Sequence, residues 1–403
     1  MRSQLQLHPV TSGRCHLLVA IGYLLSLSPG LKNPQGAIAQ PVPKNWRALD
    51  TSTRAINEVT IPTTHNSYNY GPRFLLPNVN ESIPEQLKNG VRGIELDPHS
   101  LGKKIQLFHG LRGLLGKQPA SEVLAEISEF VQQHPSEVVV IKINSKVPGP
   151  ELKALVDRAG LSPYLYVHKK GEAIPTSAEL ATTNRRVLIT NAPGNLSSRL
   201  PLCTTRWNLQ SPQALWPPRE HRAPCSGEFF SVVAFAVEPF LGIGSSDYAT
   251  IINDYKSLLN LAETAWKLNG KKVWRLEVDF PDIGNVYGVA ETLNHWNILK
   301  GEVRSQNEVL PEVVWKCQYS IGEEEVETTT YGRFAFPMKP NEKVTITPSH
   351  PDYVFSPASL SVTNTAGQDI EENFTATRRR SGNQKNKRLK SRLQEPSPPA
   401  RTE

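Results

Sequence analysis

Three short apolar runs in the first third of the chain, VTIPTTHNSY, VRGIELD and IQLFHG, lead into polar residues: His65 and Asn66, Glu95 and Asp97, and His109. Residues at the ends of separate strands meet on a common rim only if the strands run side by side and parallel, which restricts the chain to an α/β architecture. The pattern downstream agrees. After VVVIKI at 138–143 come the helical PELKALVDRAG, then RVLIT, FFSVVAFAV at 229–237, one long helical stretch DYATIINDYKSLLNLAETAWKLNG, and VWRLEV. SEVLAEISEFVQQH sets Val123, Leu124, Ile127, Phe130 and Val131 at helical spacing. Seven strands, IQLF among them, predict a TIM-type (β/α) barrel, imperfect or partly open as readily as closed. The 403 residues comfortably exceed what such a barrel needs, about 250 residues.

A rim with two histidines, an asparagine and two carboxylates suits metal-assisted acid–base chemistry on a phosphodiester. One imidazole takes a proton from an attacking hydroxyl, the other gives one to the leaving oxygen, and an oxygen-lined cation neutralises the phosphoryl group. Singly the signals are weak: a lone histidine is more often a satisfied or surface residue, and Glu95 and Asp97 are also compatible with two solvated side chains on one strand face. Their joint placement after apolar runs carries the reading. Asp279, which follows the alternation of VWRLEV, is placed to fix an imidazole tautomer from behind.

PTTHNSYN, VRGIELD and LFHG, in that order, resemble the X domain of the phosphatidylinositol-specific phospholipases C. The resemblance continues through HPSEVVVIKINSK and KKVWRLEVDFPDIGNV and covers about residues 46–300. Its Glu-x-Asp pair is similar to the calcium-dependent type. The resemblance implies His65 as general base for the inositol 2-hydroxyl, His109 as general acid and Asp279 as the group that orients His65. It implies Asn66, Glu95, Asp97 and Asn144 as ligands of Ca2+. Phosphatidylinositol at a membrane surface would give diacylglycerol and inositol 1,2-cyclic phosphate. Two departures qualify this. Asn144 stands where calcium-dependent relatives carry an acidic ligand, which lowers the expected affinity. Thr190, Asn191 and Ala192 stand where the family often has basic residues, which favours an unphosphorylated inositol ring. The pattern assigns no substrate-binding residue.

Three rivals stand beside this reading. A glycerophosphodiester phosphodiesterase also uses two histidines and an E-x-D pair, but usually opens with His-Arg-Gly where this chain has His65-Asn66-Ser67. A secreted headgroup-binding protein with weak turnover would explain Asn144. A surface interaction protein would work through the C-terminal region alone.

Beyond about residue 300 the texture turns to period-two alternation rich in Thr, Val and Pro, from VVWKCQYSIG to EENFTAT. This predicts a small all-β sandwich over 309–377, similar to the carboxypeptidase-regulatory-like or bacterial Ig-like modules of secreted enzymes. Residues 378–403 hold nine Lys or Arg against two acidic residues, which equals the whole formal charge of +7 and leaves the rest near neutral. This tail is expected to be disordered. Its charge fits contact with anionic lipid, and without interleaved aromatics nucleic-acid binding has no support.

The amino terminus reads as a signal peptide over 1–39, with Arg14, an apolar run from Leu17 to Leu27 and Ala37-Ile38-Ala39. It predicts a secreted, periplasmic or cell-surface protein. Cys203 and Cys225 bracket a Pro/Trp-rich stretch, and a bridge between them or separate thiols are both open. Cys317 is left alone in either case. Trp207 and Trp216 in that stretch are candidates either for a membrane interface or for burial.

Overall fold

The computed structural model describes residues 51–109, 113–145, 147–192, 196–200, 202–208, 227–237, 244–365 and 367–379, with backbone only for 203–208. The expected signal peptide, Cys225, Trp216, the side chains of Cys203 and Trp207, and the tail beyond Arg379 lie outside the described residues.

From the N-terminal side, β1 (Ile61–Thr64), α1 (Ile83–Asn89) and β2 (Gly93–Leu96) precede a small flap of β3 (Pro98–Leu101), β4 (Lys104–Leu107) and β5 (Gln118–Pro119). Next come α2 (Ala120–Gln133), β6 (Val139–Ile143), α3 (Gly149–Arg158), α4 (Ser177–Thr182), β7 (Val187–Thr190) and β8 (Leu202–Asn208). β9 (Phe229–Phe235), α5 (Ser246–Ile252), α6 (Tyr255–Asn269), β10 (Val273–Val278) and α7 (Val286–His295) complete this region. Seven strands form one sheet in the order β7-β6-β2-β1-β10-β9-β8. Every neighbouring pair is parallel. Among the described residues no ladder joins β7 to β8, so the barrel is open at that seam.

Local chemistry explains the boundaries. Ser82 and Glu85 form a capping box at the start of α1, and Gly90 ends that helix at φ 111°. Gly93 lets β1 and β2 approach: a Cβ there would lie 2.1 Å from Thr63 Oγ1. The predicted face of α2 is the buried one, with Val123, Leu124, Ile127, Phe130 and Val131 all in the core. β2, β6 and β10 are buried at every position, as parallel strands covered by helices require.

Three expectations are corrected. IQLF is not a barrel strand, because Lys104–Leu107 pairs antiparallel with β3 and β5. The turn at Gly102, φ 63°, reverses the chain at once, and neighbours joined so tightly need no crossover helix. The seventh parallel strand is instead Leu202–Asn208, which runs into the Pro/Trp-rich stretch after Cys203 and is not among the strands the sequence predicts. The long helix is also two. α5 stops at Asn253, and the Asp254 side chain accepts from the N–H groups of Lys256 and Ser257 to start α6.

The C-terminal β region comprises β11 (Asn297–Ser305), β12 (Glu308–Val309), β13 (Val313–Tyr319), β14 (Glu324–Thr330) and β15 (Arg333–Met338). β16 (Lys343–Ser349), β17 (Tyr353–Ser356), β18 (Leu360–Thr363), β19 (Ile370–Glu371) and β20 (Phe374–Arg378) complete it. One sheet runs β14-β13-β16-β18, and a second is built around β11. The alternation is the predicted one: Val313, Trp315, Cys317 and Tyr319 of β13 are buried and form the core with Phe334, Phe336 and Phe374. The pairing is not purely antiparallel, since β11 runs parallel to β19 and β20. This region is fastened to the end of the barrel where α6 stops and β10 starts. There Trp266 Nε1 donates to the Ala335 carbonyl at 2.7 Å, and the Ala335 N–H donates to the Gly270 carbonyl at 2.7 Å. The opposite barrel end, where the strands finish, is left to the polar rim. Among the described residues no helix is long and apolar enough to cross a membrane.

Candidate active site

β1 delivers His65, whose N–H extends the ladder to the Val278 carbonyl at 2.9 Å. Asn66 then turns the chain with φ 46°, a region asparagine tolerates better than most residues. Ser67 locks the turn onto β2, donating through Oγ to the Thr64 carbonyl and accepting from the Glu95 N–H. From β10, Asp279 sits behind His65, with Oδ1 2.8 Å from Nδ1. That oxygen also accepts from Asn78 Nδ2, while Oδ2 accepts from the Ala236 N–H at 2.9 Å. Phe280 follows at φ 47°, an uncommon conformation for a bulky residue. It is held there by Asn253 Nδ2, which donates to the carbonyls of Asp279 and Phe280. The helix break at Asn253 thus supports the site. The other face of His65 meets Phe235 edge-on, with centroids 4.6 Å apart.

Asp97 and His109 share a cavity of about 450 Å3 with His99, Phe108, Ile143, Asn144, Ser145 and Asn191. His109 follows the flap strand β4 and is solvent-exposed, so a flap rather than the sheet positions the second histidine. Asp97 Oδ2 accepts from Tyr68 OH at 3.2 Å, while its Oδ1 is buried with no partner. Thr190 faces inward, accepting from Arg275 at 3.5 Å, and Asn191 lines the cavity without charge.

Electrostatics divide the two histidines. Burial lowers the basicity of His65, but the charges of Asp279 and Glu95 overcome it and raise the imidazole to about 9. His109 moves the other way, below its ordinary value, through loss of water around the ring and the charge of His65. Burial, together with Glu95, raises the Asp97 carboxyl to about 6. At neutral pH the pair therefore holds one proton, and it rests on His65.

Beneath the rim lies a buried charge cluster. Lys142 Nζ is 2.8 Å from both Glu95 Oε1 and Glu277 Oε1. Burial opposes ionisation of Glu95, but His65 and Lys142 hold its carboxyl below the usual range, whereas Glu277 is pushed up by burial and by Glu95. Glu95 Oε1 also accepts from Asn144 Nδ2, and Oε2 accepts from the Asn66 N–H at 3.2 Å and lies 3.7 Å from His65 Nε2.

The residues implied as calcium ligands are thus brought together but do not fit a divalent ion as arranged. Asn144 turns its donor end to Glu95, whose Oε1 is also held by Lys142 and whose Oε2 accepts from the Asn66 N–H. Of the two carboxylates, only Asp97 offers a free oxygen, where calcium takes six to eight. Among the described residues no group of three or more His, Cys, Asp or Glu side chains is arranged to hold a metal.

The sequence reading missed Lys142, Glu277, Asn78, Asn253 and Phe235. A signal for the first two existed. Glu95 with Asp97, Lys142 with Asn144, and Glu277 with Asp279 are each two residues apart at a strand end, so each pair shares one face. Asn78 and Asn253 lie in a loop and a helix end and carry no such signal.

Residues 51–207 match the family model described as PI-PLC X 1, so the resemblance carried by the His-Asn and Glu-x-Asp runs is borne out over that stretch. A PI-PLC X domain-containing protein of Arabidopsis thaliana is 32% identical over 203 residues, 44% of this chain and 48% of that protein. An uncharacterized secreted protein of Arthroderma benhamiae is 22% identical over 160 residues, 37% of this chain and 36% of that one. The chain thus spans about half, or less, of the curated relatives it matches. Among solved structures, a phosphatidylinositol-specific phospholipase C of Staphylococcus aureus matches with TM-score 0.43 and 16% identity, over 62% of this chain and 95% of that one. The Listeria monocytogenes enzyme matches with TM-score 0.41 and 16% identity, over 62% and 97%.

Proposed function

We propose that this chain is a phosphodiesterase of the phospholipase C type, with phosphatidylinositol as substrate and His65 and His109 as its acid–base pair. The observation that carries the reading is the His65–Asp279 contact at 2.8 Å, set beside a cavity that His109 and Asp97 line. The PI-PLC X match over 51–207 supports the same class. Support for a lipid surface comes from Leu75 and Leu114, both exposed. They lie on two loops joined by the Leu75 N–H donating to the Leu115 carbonyl. Charge on the tail, including Arg378 and Arg379, would add attraction to anionic lipid.

Two routes use the same pair. In the cyclising route His65 takes the proton of the inositol 2-hydroxyl, whose oxygen attacks phosphorus. The bond to the diacylglycerol oxygen breaks, and His109 protonates that oxygen. Holding the nucleophile in the substrate supplies much of the rate. In the hydrolytic route His109 takes a proton from water, and His65 protonates the leaving oxygen to give an alcohol and a phosphomonoester. With its proton resting on His65, the pair is in the state from which the second route starts. The cyclising route must work from the minority state with the proton on His109.

Phosphorus NMR of the reaction on phosphatidylinositol vesicles and on glycerophosphoinositol separates them. Cyclic phosphate appearing first supports cyclisation, and a linear monoester from the first turnover supports water attack. Preference for glycerophosphoinositol over the lipid would favour the glycerophosphodiesterase alternative, and binding without turnover would favour a headgroup-binding protein.

A further inference from the structure

Lys142 lies on β6 directly beside Glu95 of β2 in the parallel register, and its side chain reaches across the barrel interior to Glu277 on β10. All three side chains are almost wholly buried, at 5%, 2% and 0% exposure. A buried ammonium between two carboxylates is held by both, and removing it would leave their charge uncompensated. Its presence also decides what else the site accepts. A carboxylate has about four lone-pair sites; Lys142 and Asn144 take Oε1 of Glu95, the Asn66 N–H takes one site of Oε2, and the His65 imidazole stands 3.7 Å from that oxygen. A divalent ion bound through Oε1 of Glu95 would share that oxygen with an ammonium 2.8 Å away, and one bound through either oxygen would meet its repulsion in a medium that screens poorly.

We propose that the Lys142 ammonium is the resident cation of this site, occupying the carboxylate a metal would need and making the chain's chemistry independent of divalent metal. Lys142 then acts as a positioning residue, holding Glu95 so that Oε2 faces His65 Nε2. The part of this inference that concerns turnover rests on the phosphodiesterase reading; the part that concerns metal binding does not.

The experiment is thermal unfolding of the full chain in excess chelator and in millimolar calcium chloride, alongside phosphatidylinositol turnover in both. The expected result is one Tm and one rate, unchanged by calcium. A calcium-dependent rise in Tm, or loss of turnover in chelator, overturns the proposal. Lys142→Met combined with Glu277→Gln removes one positive and one negative charge, so the interior keeps its balance. That variant is expected to gain a calcium-dependent rise in Tm, because Glu95 Oε1 then keeps only the neutral Asn144 as partner, near the unpartnered Asp97 Oδ1. If the variant folds and still ignores calcium, Lys142 is not what excludes the metal, and the proposal fails. If it does not fold, the two wild-type arms still decide. A wild-type chain that ignores calcium but cleaves no phosphodiester would leave the metal inference standing and remove the phosphodiesterase reading instead.

Discussion

The barrel and the β sandwich solve the problem of an interior in opposite ways. The sandwich packs rings: Trp315 lies 4.5 Å from Phe334 and 5.3 Å from Phe374, and the Trp315 indole N–H donates to Thr330 Oγ1 at 2.9 Å. Its cysteine, Cys317, is unpaired and buried, with a thiol that burial pushes up. The barrel instead buries Lys142, Arg275, Glu95, Glu277 and Asp279 beneath its rim. Charge buried at such cost, where apolar side chains would serve stability as well or better, marks the region whose arrangement matters for chemistry. Among the described residues the sandwich buries one carboxylate, Glu342, which accepts from the Lys339 N–H, and otherwise shows what the same chain builds where packing dominates.

If this contrast holds, substitutions in the two interiors should fail differently. The largest effect is expected from His65→Ala, which should cost about 10²- to 10⁴-fold in kcat per folded molecule, a loss that its effect on stability does not account for. Trp315→Ala should reverse the balance. It should cost about 3–5 kcal/mol of stability by denaturant unfolding and leave kcat per folded molecule unchanged; a matching loss of kcat would mean that the sandwich participates in the site. The pH dependence comes next. His65 carries its proton up to about 9 in the fold, whereas an unfolded histidine loses it near about 6.5. Its stabilisation is therefore complete below pH 6.5 and lost as pH rises through 9. Wild type and His65→Gln should converge over that window, by on the order of 3 kcal/mol, and parallel stability curves would contradict the charge on His65. The smallest effect belongs to the surface. The Arg73–Glu122 pair is exposed on both sides, so Glu122→Ala should change stability by about 0–1 kcal/mol.

Legibility followed the same division. β13 and its neighbours were readable because one face is buried and the side-chain period is two. In the barrel, β1, β2, β6, β7, β9 and β10 were readable as apolar runs, but periodicity could not say which runs share a sheet. IQLF looks like a barrel strand and pairs into the flap, while LCTTRWN, not among the predicted strands, extends the sheet beside β9. Most of the site was legible because its residues follow strands. What stayed hidden acts through tertiary contact alone: Asn253, which breaks a periodic helix to hold the bend at Asp279 and Phe280, and Lys142, whose role depends on a partner across the barrel.

The most direct test of the account is diacylglycerol release from phosphatidylinositol vesicles by the full chain and by its His65→Ala and His109→Ala variants, compared at equal folded concentration. The account predicts release by the wild-type chain and its near-complete loss in both variants. Release that survives both substitutions, or no release from the folded wild-type chain, would contradict it.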